Sequence, residues 1–200
     1  MISCILSGVG GQGTVLASKL LAKAAMASGL EVRTTETIGM AQRGGSVVSH
    51  IRMGETVDSP IVPEKSADVI IAFEPSEAVR VLPYLKENGT MLVCDSPIMP
   101  VTSSLGGGYD IDEILKFLKD KVNNLTIFSG DKFMECCGNA KALNVALLGT
   151  AANTKVLPFN TEILEYTIKK SIPEKFLDMN MKAYDFGKRC ADDNRSIEQN

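Results

Sequence analysis

The sequence lacks the residue sets that several common catalytic and metal sites require. His50 is its single histidine, so metal sites built from several histidines are excluded. This imidazole is the only histidine base available, but its strand-like segment, 46–52, favours a structural role. The five cysteines, among them the adjacent pair Cys136-Cys137, contain no C-x-x-C-x-x-C spacing for an iron–sulfur cluster. We therefore predict no metal site, and reduced thiols as in a cytosolic protein, with Cys4 and Cys94 buried in apolar runs.

Long apolar runs and a strong net charge are also absent. No segment approaches the ~20 apolar residues of a transmembrane helix. The first residues also lack the basic segment followed by an apolar stretch that is typical of a signal peptide. The formal charge of −3 gives no support for a basic nucleic-acid surface. We expect a cytoplasmic protein that binds neither membranes nor nucleic acid.

What is present fits one domain over residues 1–200. A chain of 200 residues that is 44% hydrophobic can bury a substantial core. Strand-like and helix-like segments alternate, which predicts a three-layer α/β/α, Rossmann-like fold with a mainly parallel sheet. The strand-like segments 30–35 and 46–53 have no helix between them, so an antiparallel excursion is expected. The polar tail 191–200 is expected to fray.

Smaller features add local expectations. A strand is predicted over 67–73, and Asn88-Gly89 is predicted to turn the chain into a strand over 90–94. Asp110 and Thr161 are predicted to cap helices. Apolar residues surround nearly the whole of the helix predicted over 139–153, which implies burial in the core or against another subunit.

A glycine-dense corner follows the first predicted strand and opens a helix. Because glycine tolerates positive φ and close approach, and because a helix N-terminus attracts anions, the corner is a candidate phosphate site. A tight turn that binds nothing remains an alternative, since a lone G-x-G-x-x-G is weak evidence. The candidate binding residues of this corner are Gly8, Gly10, Gly11, Gln12, Gly13 and Thr14.

A second polar loop, 36–46, contains further groups that suit an anion. Arg43 carries a permanent charge, and Gly44, Gly45 and Ser46 can present donors beside it. If both loops lie at the carboxyl ends of neighbouring strands, they face one crevice, and anion binding is favoured. Glu36 matches only loosely the strand-end acid that binds ribose hydroxyls in NAD-dependent or S-adenosylmethionine-dependent enzymes.

Three segments occur in an order that resembles a known family. They are Gly8-Val9-Gly10-Gly11-Gln12-Gly13, the loop 36–46 with its Gly-Met-Ala-Gln-Arg-Gly-Gly-Ser wording, and the strand and turn 68–75. Together they resemble the gamma subunit, or domain III, of the 2-oxoacid:ferredoxin oxidoreductases. The wording of the second loop is most similar to the beta subunit of the indolepyruvate-specific members.

The resemblance implies a subunit of an assembly that decarboxylates a 2-oxoacid, with an aryl pyruvate favoured, and forms its acyl-coenzyme A. Thiamine diphosphate and 4Fe–4S iron–sulfur clusters are then expected on larger partner chains, with electrons leaving to ferredoxin. The chain itself lacks the Gly-Asp-Gly and Asn-Asn thiamine-diphosphate signature, since Gly130-Asp131 is followed by Lys132. No catalytic residue is assigned to it, and the isolated chain is expected to be inactive.

Within that assembly, residues 10–14 and Arg43 are hypothesised to contact coenzyme A phosphates or a partner loop. The alternative is that both loops only form a subunit interface. A free-standing enzyme that uses NAD or S-adenosylmethionine, and a non-enzymatic interaction module, also remain open. Micromolar cofactor binding by the isolated chain would indicate the free-standing enzyme, and a stable partner without 2-oxoacid chemistry would indicate the module.

Overall fold

The fold was analysed in a computed structural model that describes residues 1–39, 44–99 and 109–198. Six strands and seven α-helices occur in this part of the chain. The strands are β1 (Ile2–Val9), β2 (Glu31–Ile38), β3 (Ser46–Gly54), β4 (Ala67–Ala72), β5 (Leu85–Cys94) and β6 (Asn124–Phe128). The helices are α1 (Thr14–Ala27), α2 (Pro75–Val81), α3 (Ile111–Lys121), α4 (Gly130–Cys137), α5 (Leu143–Asn153), α6 (Thr161–Ser171) and α7 (Leu177–Glu198).

The strands form a single sheet in the order β2-β3-β1-β4-β5-β6. β1, β4, β5 and β6 pair in parallel, so their carboxyl ends lie along one edge of the sheet. β3 runs antiparallel to both of its neighbours, β1 and β2. The sheet is therefore mainly parallel with one antiparallel strand, and the predicted excursion is confirmed.

Helices cover both faces of the sheet, which confirms the three-layer architecture. Successive residues of β1 enter different cores: Cys4 and Leu6 pack with α1 and α5, whereas Ile5 packs with α2 and α3. The parallel strands are consequently apolar on both faces. No helix in the described ranges is long and apolar enough to cross a membrane.

The apolar helix predicted near residues 139–153 lies in the core of its own chain. Every residue of α5 from Leu143 to Ala152 is buried, and the helix packs closely along α7. Glycines allow this approach: a Cβ at Gly149 would lie 2.3 Å from the Tyr184 carbonyl oxygen, and one at Gly187 would lie 1.9 Å from the Ala146 carbonyl oxygen. Of the two explanations given by the sequence, burial in the core applies to α5.

Three local predictions need correction or comment. Asn160, not Thr161, caps α6, because its Oδ1 accepts the Ile163 N–H at 3.0 Å. Asn88-Gly89 lies inside β5 rather than in a turn before it, since a Cβ at Gly89 would meet the Ala67 carbonyl oxygen at 2.9 Å and glycine admits that contact. The helix α7 continues to Glu198, beyond the start of the tail that was expected to fray. Asp110 caps α3 as predicted.

Replacement of Gly149 by alanine should destabilise the chain. The added methyl group would overlap the α7 backbone, so we expect the free energy of unfolding to fall by about 1–3 kcal/mol or more. Denaturant unfolding followed by circular dichroism measures the change. Asp120→Glu, which adds one methylene on an exposed position of α3, is the control and should stay within about 0.5 kcal/mol of the wild type. A Gly149→Ala variant as stable as this control would contradict the close helix contact.

Candidate functional site

The glycine corner joins β1 to α1 and leaves the helix N-terminus uncapped. Gly11 and Gly13 have φ angles of 103° and 79°, which only glycine adopts readily. Gly13 occupies the position before the helix, no side chain among the described residues accepts from the first-turn N–H groups, and no acidic residue lies in that turn. Since the positive end of the helix dipole is not neutralised there, an anion would be stabilised at this corner.

Other predicted residues of the corner hold its shape. The Gln12 side chain accepts the Val9 N–H at 2.7 Å through Oε1 and donates to the Phe73 carbonyl oxygen at 2.9 Å through Nε2. A Cβ at Gly8 would lie 2.8 Å from that Gln12 oxygen and 3.0 Å from the Thr14 hydroxyl. Gly8 is therefore required for packing, and both polar atoms of the Gln12 amide are already bonded within the chain.

Thr14 begins α1 with a buried hydroxyl. The residue is 3% exposed, and its Oγ1 has no hydrogen-bond partner among the described residues. Leaving a buried hydroxyl without a hydrogen-bond partner costs free energy. The Thr14 hydroxyl, which lies behind the corner, is therefore a polar group that could still form a hydrogen bond.

The second loop meets the corner directly. The Gly10 N–H donates to the Gly45 carbonyl oxygen at 2.9 Å, and the Gly39 N–H donates to the Ser46 carbonyl oxygen at 2.8 Å. Gly44 adopts a φ of 81°. Because of the Gly10–Gly45 hydrogen bond, the two glycine loops lie side by side.

Arg43, the predicted cation of this loop, lies outside the described residues.

The strand geometry that joins the loops differs from the expected one. The sequence argument that the loops meet was conditional on both lying at the carboxyl ends of neighbouring strands. Instead, the second loop connects the carboxyl end of β2 to the amino end of β3, and Ser46 lies opposite Val9 in the antiparallel β1–β3 pair. An antiparallel strand starts where its neighbour ends, which is why the loops still meet.

Glu77, which the sequence analysis did not assign to the site, connects β1 to the start of β3. Its Oε2 accepts the hydroxyls of Ser46 at 2.5 Å and Ser7 at 3.4 Å, and its Oε1 pairs with Arg80 Nε at 3.2 Å. The residue is 5% exposed, and these three partners satisfy its carboxyl oxygens within the chain. The Ser46 hydroxyl proton is thereby used internally.

Glu74 forms a second buried acidic centre one turn before Glu77. Its side chain is fully buried, and its Oε2 accepts the Ser76 hydroxyl at 2.5 Å and the Glu77 N–H at 3.0 Å. The Tyr109 hydroxyl donates to its Oε1. Burial and the neighbouring Glu74 raise the pKa of Tyr109. The sequence did not indicate this role for either glutamate, because acidic residues at the start of a helix have the same pattern whether they are buried or solvated.

A cavity of about 440 Å³ opens next to the corner, in a position the sequence gave no signal for. The carboxyl end of the sheet, α4 and the turn before α5 enclose it. Among the described residues that line it are Gly10, Gly11, Ile98, Phe133, Met134 and Lys141. The site therefore combines a backbone donor surface with an adjoining, largely apolar space.

Two residues considered for other roles lie elsewhere. The His50 Nδ1 accepts the Val62 N–H at 3.2 Å, and its ring contacts Tyr84 edge-on. This supports the structural role. Glu36 lies on β2, and β3 separates that strand from the glycine corner, so a ribose held at the corner would not meet this acid. The described ranges contain no cluster of three or more His, Cys, Asp or Glu residues suited to a metal ion.

Comparisons with known proteins agree over nearly the whole chain. A family model described as "Pyruvate ferredoxin/flavodoxin oxidoreductase" matches residues 3–190. The chain is 40% identical over 190 residues to the indolepyruvate oxidoreductase subunit IorB of Pyrococcus horikoshii, covering 94% of each chain.

Solved structures share the fold. A keto/oxoacid ferredoxin oxidoreductase gamma subunit from Geobacter sulfurreducens superposes with a TM-score of 0.68 at 21% identity, over 96% of this chain and 98% of that one. A 2-oxoglutarate:ferredoxin oxidoreductase from Magnetococcus marinus superposes with a TM-score of 0.70 at 20% identity. The match covers 96% of this chain and 31% of the larger one, so the same fold occurs as one part of a longer polypeptide.

His50 should make stability depend on pH. Burial lowers its pKa, so below the unfolded value of about 6.5 the unfolded chain binds a proton that the folded chain does not. The free energy of unfolding should then decrease as the pH falls, by at most about 1.4 kcal/mol per pH unit from this group. The difference in unfolding free energy between wild type and His50→Asn, measured from pH 7.5 to pH 5, isolates the effect because carboxylate contributions cancel. A difference that stays constant over this range would contradict the prediction.

Proposed function

Because the chain belongs to the pyruvate ferredoxin/flavodoxin oxidoreductase family, we propose that it is the small subunit of a cytoplasmic indolepyruvate:ferredoxin oxidoreductase. Members of this family are subunits of oxidoreductase complexes, and the chain is one such subunit. The observation that carries the finer assignment is the end-to-end similarity to subunit IorB. The complex would convert an aryl pyruvate and coenzyme A into an aryl acyl-coenzyme A and carbon dioxide, with the electrons passed to ferredoxin.

In this proposal the electron-transfer chemistry belongs to larger partner subunits. Thiamine diphosphate would react with the 2-oxoacid there, and iron–sulfur clusters on those subunits would carry the electrons to ferredoxin. The sequence of this chain contains neither the thiamine-diphosphate signature nor a cluster motif. Its two buried acids, Glu74 and Glu77, are bonded internally and support the shape of the site rather than a proton-transfer role.

The role proposed for this chain is to hold coenzyme A phosphates at the joined loops. Three observations support it. The N-terminus of α1 is uncapped and has no acid in its first turn. The Gly10–Gly45 hydrogen bond brings the second loop to that end, and this loop contains Arg43 in the sequence. A phosphate there would receive backbone N–H donors from Gly11, Gly13 and Thr14, since the Gln12 N–H already donates to the Val9 carbonyl oxygen, and a guanidinium charge.

The free-standing nucleotide enzyme is less favoured. In NAD-dependent and S-adenosylmethionine-dependent folds the ribose acid ends the strand beside the glycine corner. Here β3 occupies that place, and Glu36 lies on the strand beyond it. The interaction module remains the competing explanation if a partner is found without 2-oxoacid chemistry.

Purification under anaerobic conditions tests the assignment. We expect the chain to co-purify with a larger subunit containing thiamine diphosphate and iron–sulfur clusters, and the complex to reduce ferredoxin when given indolepyruvate and coenzyme A. The isolated chain should show no such activity. A monomer that instead carries a tightly bound nucleotide would overturn the proposal in favour of the free-standing enzyme.

Arg43→Ala in the complex tests the coenzyme A role. Loss of a charge-assisted phosphate contact should weaken coenzyme A binding about tenfold or more, while KM for the 2-oxoacid stays unchanged. Calorimetric titration of the complex with coenzyme A gives the Kd. Lys119→Ala is the control, since it removes the same charge from an exposed position of α3, on the other face of the sheet. Unchanged coenzyme A affinity in Arg43→Ala would remove Arg43 from this role and favour a pure interface.

A further inference from the structure

Two adjacent thiols, Cys136 and Cys137, are the last two residues of α4 and do not line the cavity beside the glycine corner. Both are free cysteines, and Cys136 is exposed while Cys137 is half-buried. Their side chains lie within hydrogen-bonding reach of each other. The end of α4 therefore presents a reduced pair of sulfur atoms at the surface of the chain.

The helix opposes closure of this pair into a disulfide. Adjacent Cα atoms lie about 3.8 Å apart across a trans peptide, whereas a disulfide usually joins Cα atoms that are about 4.4–6.8 Å apart. Gly138 ends α4 in the left-handed conformation, and its N–H donates to the Met134 carbonyl oxygen at 2.9 Å. An internal disulfide would have to distort this last turn, so the two sulfur atoms stay available as ligands.

The environment of Cys137 favours a metal ligand over a reactive thiol. Burial, followed by the neighbouring Cys136, raises the pKa of Cys137. Its Sγ also lies 4.0 Å from the Lys182 carbonyl oxygen, to which the thiol can donate. A protonated thiol is a poor nucleophile, which disfavours a redox or acyl-transfer role. A soft metal ion, by contrast, binds by displacing the thiol proton.

The ligand set suits a soft ion of low coordination number. Thiolates select Cu(I), zinc and iron–sulfur clusters. Structural zinc takes four protein ligands, and an iron–sulfur cluster takes four cysteines. In the described ranges no His, Cys, Asp or Glu residue completes even a set of three around the pair. Cu(I) is stable with two sulfur ligands, so it alone of these three needs nothing more from the chain.

Two cations can offset the charge of such a complex. One Cu(I) ion that replaces both thiol protons releases them to solvent and leaves a dithiolate complex with a single negative charge, while copper keeps its oxidation state. Lys182 and Arg189 of α7 lie close enough to Cys137 to favour its thiolate form. A divalent soft ion such as Hg²⁺ would form a neutral dithiolate and gain less from these cations.

We propose that Cys136 and Cys137 bind one Cu(I) ion as a dithiolate, with Lys182 and Arg189 offsetting the charge of the complex. This differs from the expectation of no metal site, which was based on sets of several histidines and on the cysteine spacing of clusters. The site uses no residue of the phosphate site, so it does not require the coenzyme A proposal to hold.

Anaerobic titration of the isolated full-length chain with Cu(I), in competition with the chelator bicinchoninate, tests the site. We expect the chain to take one Cu(I) ion from the chelator. Cys136→Ser and Cys137→Ser should each weaken Cu(I) binding at least about 100-fold, because loss of a ligand costs more than the about 10–100-fold of losing a partner outside the ligand set. Cys190→Ser, the same change at a half-buried cysteine of α7 outside the pair, should bind like the wild type.

Three outcomes would overturn the inference. One is that the wild-type chain takes no Cu(I) from the chelator. Another is that Cys136→Ser and Cys190→Ser bind Cu(I) equally well, which would place the ion elsewhere. A third is that Zn²⁺ displaces Cu(I) at equal concentration, since an ion that prefers four ligands should not compete at two thiols. Unfolding curves of each variant exclude loss of folding as the cause, and the exposed position of Cys136 makes its serine variant the one that least disturbs packing.

Discussion

Val9 at the end of β1 lies opposite Ser46 at the start of β3, and the meeting of the two loops depends on this antiparallel register. It brings Gly45 within hydrogen-bonding distance of Gly10 and delivers the Ser46 hydroxyl to Glu77. A slip of one residue would turn the alternating side chains of β3 to the opposite faces, and buried residues such as Ile51 would leave their core. The packing of the core and the meeting of the two loops are thus maintained by the same pairing.

The residues of the site divide into those that shape it and those that remain available. Gly8, Gln12, Ser46, Glu74 and Glu77 are committed to packing or to internal hydrogen bonds. What remains is mainly backbone: the uncapped first turn of α1 and the exposed glycines of both loops. A surface of backbone donors can orient an anion but cannot abstract a proton or attack a carbonyl group. This division agrees with membership in a family whose members act as subunits of larger oxidoreductases.

The corner and the cavity are adjacent but chemically different. The corner has N–H donors and the end of a helix dipole, whereas the cavity has Phe133, Met134 and one lysine. The buried helix α5 supports both, because Asn144 contacts the backbone at Gly13 and Lys141 immediately precedes the helix. Because α5 is buried in the core, it is a rigid support for both the corner and the cavity wall.

Local sequence rules determined the elements of this protein, and long-range contacts decided how the site is assembled. The apolar run of β4, the Asp110 cap and the positive-φ glycines at 11 and 13 depend on neighbouring residues, so they were predictable. Three other features could not be predicted in this way. They are the position of Asn88-Gly89 inside β5, the hydrogen bond between Ser46 and Glu77, which are 31 positions apart, and the cavity. A glutamate in the first turn of a helix has the same local sequence pattern whether it faces solvent or a buried serine. An Asn-Gly dipeptide likewise looks the same in the sequence whether it forms a turn or lies inside a strand that pairs with another. Only the folded chain decides between these, because the deciding contact comes from residues far away in sequence.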